Sequence, residues 1–126
     1  ERPVPGRVYV APIEKHIALI HGRLAIVDTP AVCGQKPSGT VLFSSLARAL
    51  GNKAVGVVLT GMGADGSEGL NDMYKAGGYT IAEDSSTCVV FGMPSAAAKI
   101  GAVREMLPLP AISGRLRDLA GAGGAA

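Results

Sequence analysis

Ala54-Val55-Gly56-Val57-Val58-Leu59, running into Thr60-Gly61-Met62-Gly63-Ala64-Asp65-Gly66, is the stretch whose reading decides the fold. The first part is an unbroken apolar run of strand length. Continuous rather than alternating apolar character marks a parallel strand covered on both faces, and this one is expected at the centre of its sheet. The second part is a glycine-rich loop. A helix follows that places Leu70, Met73 and Tyr74 on one face and ends at Gly77-Gly78.

Upstream, Ser38 is placed to cap a helix running to about Leu50, with Leu42, Leu46 and Ala49-Leu50 at helical spacing and Gly51 as its stop. Before it, Asp28 to Pro37 reads as a loop. Ile17 to His21 and Arg23 to Val27 flank His21-Gly22 as a hairpin. Arg7-Val8-Tyr9-Val10-Ala11-Pro12 reads as a short strand stopped by proline. Downstream, Tyr79 to Ala82 is a strand closed by the polar Glu83-Asp84-Ser85-Ser86. Pro94 starts a helix over Ser95 to Ile100, since its missing N–H is harmless in a first turn. Arg104 to Leu109 is a last extended piece, and Ile112, Leu116 and Leu119 mark a terminal helix.

Strands alternating with helices predict an α/β fold: a doubly wound, mostly parallel, Rossmann-like sheet with helices on both faces, plus the hairpin near the N-terminus. The reading gives one domain over residues 1–120 and a disordered Gly/Ala tail over 121–126. Because the chain opens on Glu1-Arg2-Pro3 without an initiator Met, it reads as an excised or processed piece.

Composition agrees with this class. The 126 residues are 48% hydrophobic, yet include only three tyrosines, two phenylalanines and no tryptophan, so the core must be aliphatic. Eighteen glycines suit close strand–helix packing. Net charge is +2 and the basic residues are scattered without interleaved aromatics, which argues against nucleic-acid binding. No run of about 18 apolar residues exists to span a membrane. Cys33 and Cys88 have neither zinc-ligand nor C-x-x-C spacing and read as free thiols of a cytosolic protein.

Ligands of open parallel sheets bind beyond the carboxyl ends of the strands, which singles out the loop at Gly61 to Gly66. Three readings compete for Asp65. Asp65 and Glu68 have the spacing of a capping box. Gly61-x-Gly63-x-x-Gly66 matches a dinucleotide fingerprint, with Glu83 or Asp84 about 20 residues on, where a ribose-binding acid would sit. Against that, Asp65 would set a carboxylate in the loop that must receive a pyrophosphate. The third reading makes Asp65 the carboxylate that orients a catalytic histidine. Spacing alone does not decide between capping and orientation.

The other reactive side chains have plainer explanations. His16 reads as a hydrogen-bonded loop residue and His21 as a solvated turn residue. Ser44 and Ser45 fall on a helix face, Ser85 and Ser86 in a turn, and Gly66-Ser67-Glu68-Gly69 lacks the G-x-S-x-G form of a nucleophile elbow. Cys88 lies in an apolar run, where a thiol is inert.

Several separate motifs, in order, resemble one family. Val57 to Gly66 resembles the aspartate loop of the chemotaxis methylesterases of the CheB type. Thr87-Cys88-Val89-Val90-Phe91-Gly92-Met93-Pro94 is similar to its second signature, preceded by Ile81-Ala82-Glu83-Asp84. Val8 to Pro12 with His16, and Pro37-Ser38 followed by Val41-Leu42-Phe43, also fit the pattern, so the resemblance spans about Arg7 to Leu119.

The resemblance implies a cytoplasmic hydrolase that demethylates γ-glutamyl methyl esters on chemoreceptors, and in many members deamidates glutamines, by a Ser-His-Asp mechanism without metal or organic cofactor. It places Asp65 on the triad aspartate and Met62, within Gly61-Met62-Gly63, on the oxyanion loop. The family's serine turn, Gly-Thr/Ser-Ser-x-Gly-Gly, and its histidine do not occur here. The chain alone is therefore expected to be inactive. Its expected partners are methylated receptor helices, the N-terminal part of the catalytic domain and a second copy meeting it at an open sheet edge. The alternative is a non-catalytic module of the same fold that binds receptor or partner.

Overall fold

The computed structural model describes residues 2–32, 34–61 and 65–124, the last three as backbone. Two strands, β1 (His16–Ile20) and β2 (Arg23–Val27), form the expected hairpin, with Ile20 opposite Arg23. His21 and Gly22 both take positive φ, 51° and 75°, the two-residue turn whose twist matches that of the flanking strands. Helix α1 (Gly39–Leu50) follows the loop. Ser38 is its N-cap in extended backbone, its Oγ accepting from the Val41 N–H, and Gly51 ends it.

The rest of the chain alternates as anticipated: β3 (Val55–Val58), α2 (Ser67–Lys75), β4 (Tyr79–Glu83), α3 (Met93–Lys99), β5 (Glu105–Leu107) and α4 (Leu109–Gly124). The three strands form one parallel sheet in the order β3-β4-β5, with Val58 beside Ala82 and Ala82 beside Met106. Successive side chains of a strand point to opposite faces. One face carries Val58 and Ala82, which join Leu70, Ala97 and Ala102 in an aliphatic core under α2 and α3. The other carries Tyr79 and Glu105, which receive Arg115 of α4. Helices thus cover both faces.

Four features differ from the sequence reading. Among the described residues the run at Val55 is an edge strand, with Val55 38% exposed, and the buried centre is β4, where Thr80, Ile81 and Ala82 are fully buried. A continuous apolar run reports cover above and below a strand, not neighbours beside it. Arg7 to Pro12 is not a strand. It finds no ladder partner among the described residues and leaves Val8 91% and Val10 83% exposed. Tyr74 leaves the apolar face kept by Leu70 and Met73, and its ring instead takes the Arg104 guanidinium at 5.4 Å. Finally, α4 continues through Gly121 to Gly124, where a disordered tail was expected. Extending an established helix adds one hydrogen bond per residue ordered. Ala125 and Ala126 lie outside the described residues.

Helix α2 lies close enough to α1 to fix their relative position. A Cβ on Gly69 would come within 2.7 Å of Thr40 Cα and 2.8 Å of its carbonyl oxygen, so only glycine permits this approach. That contact brings the start of α1 beside the start of α2, where the candidate site lies.

Candidate active site around Asp65

Asp65 sits between β3 and α2, beyond the carboxyl end of the strand, and is 7% exposed. Both carboxylate oxygens are bonded. Oδ1 accepts from Ser38 Oγ at 2.6 Å and Oδ2 from the Gly39 N–H at 2.8 Å. The carboxylate therefore lies on the N-terminus of α1, whose first turn contains no acidic residue of its own. Free N–H groups and the positive end of the helix dipole favour a negative charge there.

The capping box with Glu68 is not formed. The N-cap of α2 is Gly66, which makes no side-chain cap bond, and its N–H is taken by Thr40 Oγ1 at 2.9 Å. Asp65 serves the neighbouring helix instead of its own.

The start of the same loop is held from the other side. The Gly61 N–H donates to the Val90 carbonyl at 3.0 Å, and the Gly61 carbonyl accepts from the Gly92 and Met93 N–H groups at 2.9 and 3.1 Å. Thr60 Oγ1 donates to the Val90 carbonyl at 3.1 Å and accepts from its N–H at 2.8 Å. Gly61 is thus an anchor whose own N–H is already engaged. Met62 and Gly63, the other expected members of the oxyanion loop, lie outside the described residues.

One residue escaped the sequence reading in this role. Glu83, weighed there only as a ribose-binding acid, is 1% exposed and accepts the Thr60 N–H on Oε1 at 2.9 Å. Its carboxyl end faces the base of the Gly61 loop rather than an open ribose site. The signal for it was an acidic residue ending an otherwise apolar strand, Tyr79 to Glu83.

The two histidines are far from equivalent. His16 is fully buried. Its Nδ1 accepts from the Ser38 N–H at 3.0 Å and its Nε2 lies 3.0 Å from the Pro30 carbonyl. A backbone N–H only donates and a carbonyl only accepts, so the ring is the neutral Nε2–H tautomer with both nitrogens engaged. His16, Ser38 and Asp65 form a chain, but in the wrong order for a triad. Serine stands between histidine and aspartate, and Ser38 Oγ donates to the carboxylate instead of to an imidazole. His21 is exposed at the hairpin turn.

The remaining candidates serve structure. Ser45 Oγ donates to the Leu42 carbonyl and accepts the Leu19 N–H, tying α1 to β1, and Ser44 Oγ donates to Asp72 of α2. Ser86 donates its N–H to Asp84 Oδ2 in the turn after β4. Cys88 points its Sγ at the Glu83 carbonyl, 3.4 Å away. Burial pushes this thiol up, with the Glu83 and Asp84 charges adding to the effect, so it is no ready nucleophile. Cys33 lies outside the described residues.

An acid mounted rigidly beyond a parallel sheet, in this order of motifs, has known counterparts. The family model for CheB methylesterase matches residues 1–116. The chain belongs to the CheB methylesterase family. It is 68% identical over 120 residues to protein-glutamate methylesterase/protein-glutamine glutaminase 2 of Paramagnetospirillum magneticum, a match covering 95% of this chain and 34% of that protein. The corresponding protein of Photorhabdus laumondii is 48% identical over 92% of the chain and 34% of its own length. In three dimensions the chain resembles the Thermotoga maritima CheB methylesterase catalytic domain, with a TM-score of 0.89 and 34% identity over 94% of this chain and 65% of that one. The chain therefore spans about a third of the length of these curated relatives, 34% in each case. Among the described residues, no helix is long and apolar enough to cross a membrane.

Proposed function

We propose that this chain supplies Asp65 as the acidic member of a Ser-His-Asp triad that hydrolyses γ-glutamyl methyl esters, and deamidates glutamines, on cytoplasmic chemoreceptor helices. The serine and histidine come from a segment of the catalytic domain outside this chain. The observation that carries the reading is the mount of Asp65: a nearly buried carboxylate, bonded on both oxygens, beyond the carboxyl end of a parallel strand. A carboxylate so held can fix a histidine's tautomer and stabilise the imidazolium that forms.

In the proposed cycle the histidine takes the serine proton as the serine oxygen attacks the ester carbonyl. The tetrahedral intermediate collapses to an acyl-enzyme, and the histidine returns that proton to the departing methoxide, giving methanol. Water then attacks the acyl-enzyme by the same route and leaves a glutamate carboxylate. With a glutamine side chain the leaving group is ammonia. The family resemblance assigns the backbone N–H of Met62 to the developing oxyanion, while the Gly61 N–H is held by Val90. No step calls for a metal or organic cofactor.

The test is a chimera in which this chain replaces its counterpart in the Paramagnetospirillum protein, assayed for methanol release from methylated receptor. The chimera is expected to be active, the isolated chain silent, and Asp65→Ala in the chimera slower in kcat by about 10³- to 10⁴-fold. Methanol release by the isolated chain would place the nucleophile within it and overturn the assignment. A folded but silent chimera that still binds receptor would favour the non-catalytic module.

A further inference from the structure

An orienting aspartate must keep its direction while a histidine pulls on it. Ser38 lies 27 residues before Asp65 and is 3% exposed. Its hydroxyl is used twice. Oγ donates to Asp65 Oδ1 at 2.6 Å and accepts the Val41 N–H at 3.3 Å. Because the Val41 N–H occupies an acceptor position on Oγ, the hydroxyl proton is left to point at the carboxylate. Ser38 is itself held by its backbone N–H, which donates to buried His16 Nδ1, and His16 is fixed in turn at the Pro30 carbonyl. The adjacent Gly39 N–H takes the second carboxylate oxygen.

From this chain of contacts we infer that Ser38 is a positioning residue for Asp65. It sets the angle of the carboxylate through one charge-assisted hydrogen bond, and His16 keeps Ser38 in register. The inference rests on the triad assignment of Asp65. A helix cap alone would need only the bond from Val41 to Ser38. The second bond runs outward to a carboxylate on another element and constrains the side chain whose direction matters in acyl transfer. Charge-assisted bonds of this length are about twice as strong as neutral ones, and a displacement of about 1 Å at a reacting group costs on the order of 100-fold in rate.

The test uses the same chimera, with kcat and KM measured separately and melting followed alongside. Ser38→Ala is expected to lower kcat roughly 10- to 100-fold with KM nearly unchanged, because orientation is felt in the transition state rather than in receptor binding. Ser38→Thr, which keeps the hydroxyl, should recover most of that loss. Ser44→Ala serves as the comparison. It removes an α1–α2 hydrogen bond of 2.7 Å that does not touch Asp65, and should lower stability while leaving kcat in place. If Ser38→Ala melts below the assay temperature, Ser38→Cys replaces it, keeping the shape and offering only a weak donor.

A folded Ser38→Ala or Ser38→Cys protein with unchanged kcat overturns the inference, as does a loss of kcat in Ser44→Ala equal to that in Ser38→Ala. Loss of activity in Asp65→Ala beside full activity in Ser38→Ala would remove only the positioning role. Full activity in Asp65→Ala would remove the triad reading itself.

Discussion

The Thr60 N–H donates to Glu83 Oε1 at 2.9 Å, while Glu83 Oε2, equally buried, has no hydrogen-bond partner among the described residues. One side chain thus ties β4 to the root of the Asp65 loop and, among the described residues, leaves one buried oxygen without a partner. An unsatisfied buried acceptor is destabilising, and more so when it shares an ionic charge.

Glu83→Gln keeps a carbonyl oxygen for Thr60 and sets an amide NH2 in place of the unpartnered Oε2, so its loss of stability to urea should be smaller than that of Glu83→Ala. Glu83→Ala removes the acceptor and should lose about 1–3 kcal/mol. Equal losses in both variants would mean that the carboxylate is satisfied in solution.

Asp28 bridges Lys15 and Lys36 at 2.6 Å each, and these ammonium groups lower its pKa from 3.8 to about 2. A carboxyl depressed on folding contributes stability that is fully present above its unfolded value and is lost as pH falls through the folded one. Glu105 is also held below its ordinary value, by the Tyr79 hydroxyl first and Arg115 second, and acts with the same sign. Asp28→Asn should flatten the fall in melting temperature between pH 3.8 and about 2. An unchanged slope in that window would show that the surface bridges are screened.

Helix α4 is pinned through Arg115, whose Nε donates to Glu105 at 2.9 Å and whose guanidinium lies 5.3 Å from the centre of the Tyr79 ring. Arg115→Ala should quicken amide exchange along residues 109–124 and leave β3 and α2 unaffected. Uniform acceleration over the whole chain would mean that α4 is part of one global unit.

β3 is an edge strand, and an uncovered parallel edge tends to pair with another chain. The isolated chain is expected to self-associate with rising concentration in sizing with light scattering. Val55→Lys, at a position already 38% exposed, should suppress this. Monomeric behaviour of the unmodified chain at high concentration would count against the edge as the site of association.

Much of this arrangement is legible along the chain. The His21-Gly22 turn, the Ser38 cap and the apolar stretch before Gly61 are statements about near neighbours, and local turn chemistry and periodicity read them directly. The motif order also pointed to Asp65 and to the family. Where local reading failed, at Arg7 to Pro12 and at Val55, the missing information was which strand lies alongside.

The partners of Asp65 belong to that second kind. Its spacing to Glu68 is a sound local capping signal, yet the carboxylate turns to Ser38 and Gly39, 27 and 26 residues back, because Gly69 lets α1 and α2 come together. Composition and periodicity determined that a parallel α/β sheet would carry an acidic loop. Tertiary packing decided which helix end that acid would face and which buried groups would hold it. Pairing between distant segments depends on the assembled shapes of both, and neither segment encodes it alone.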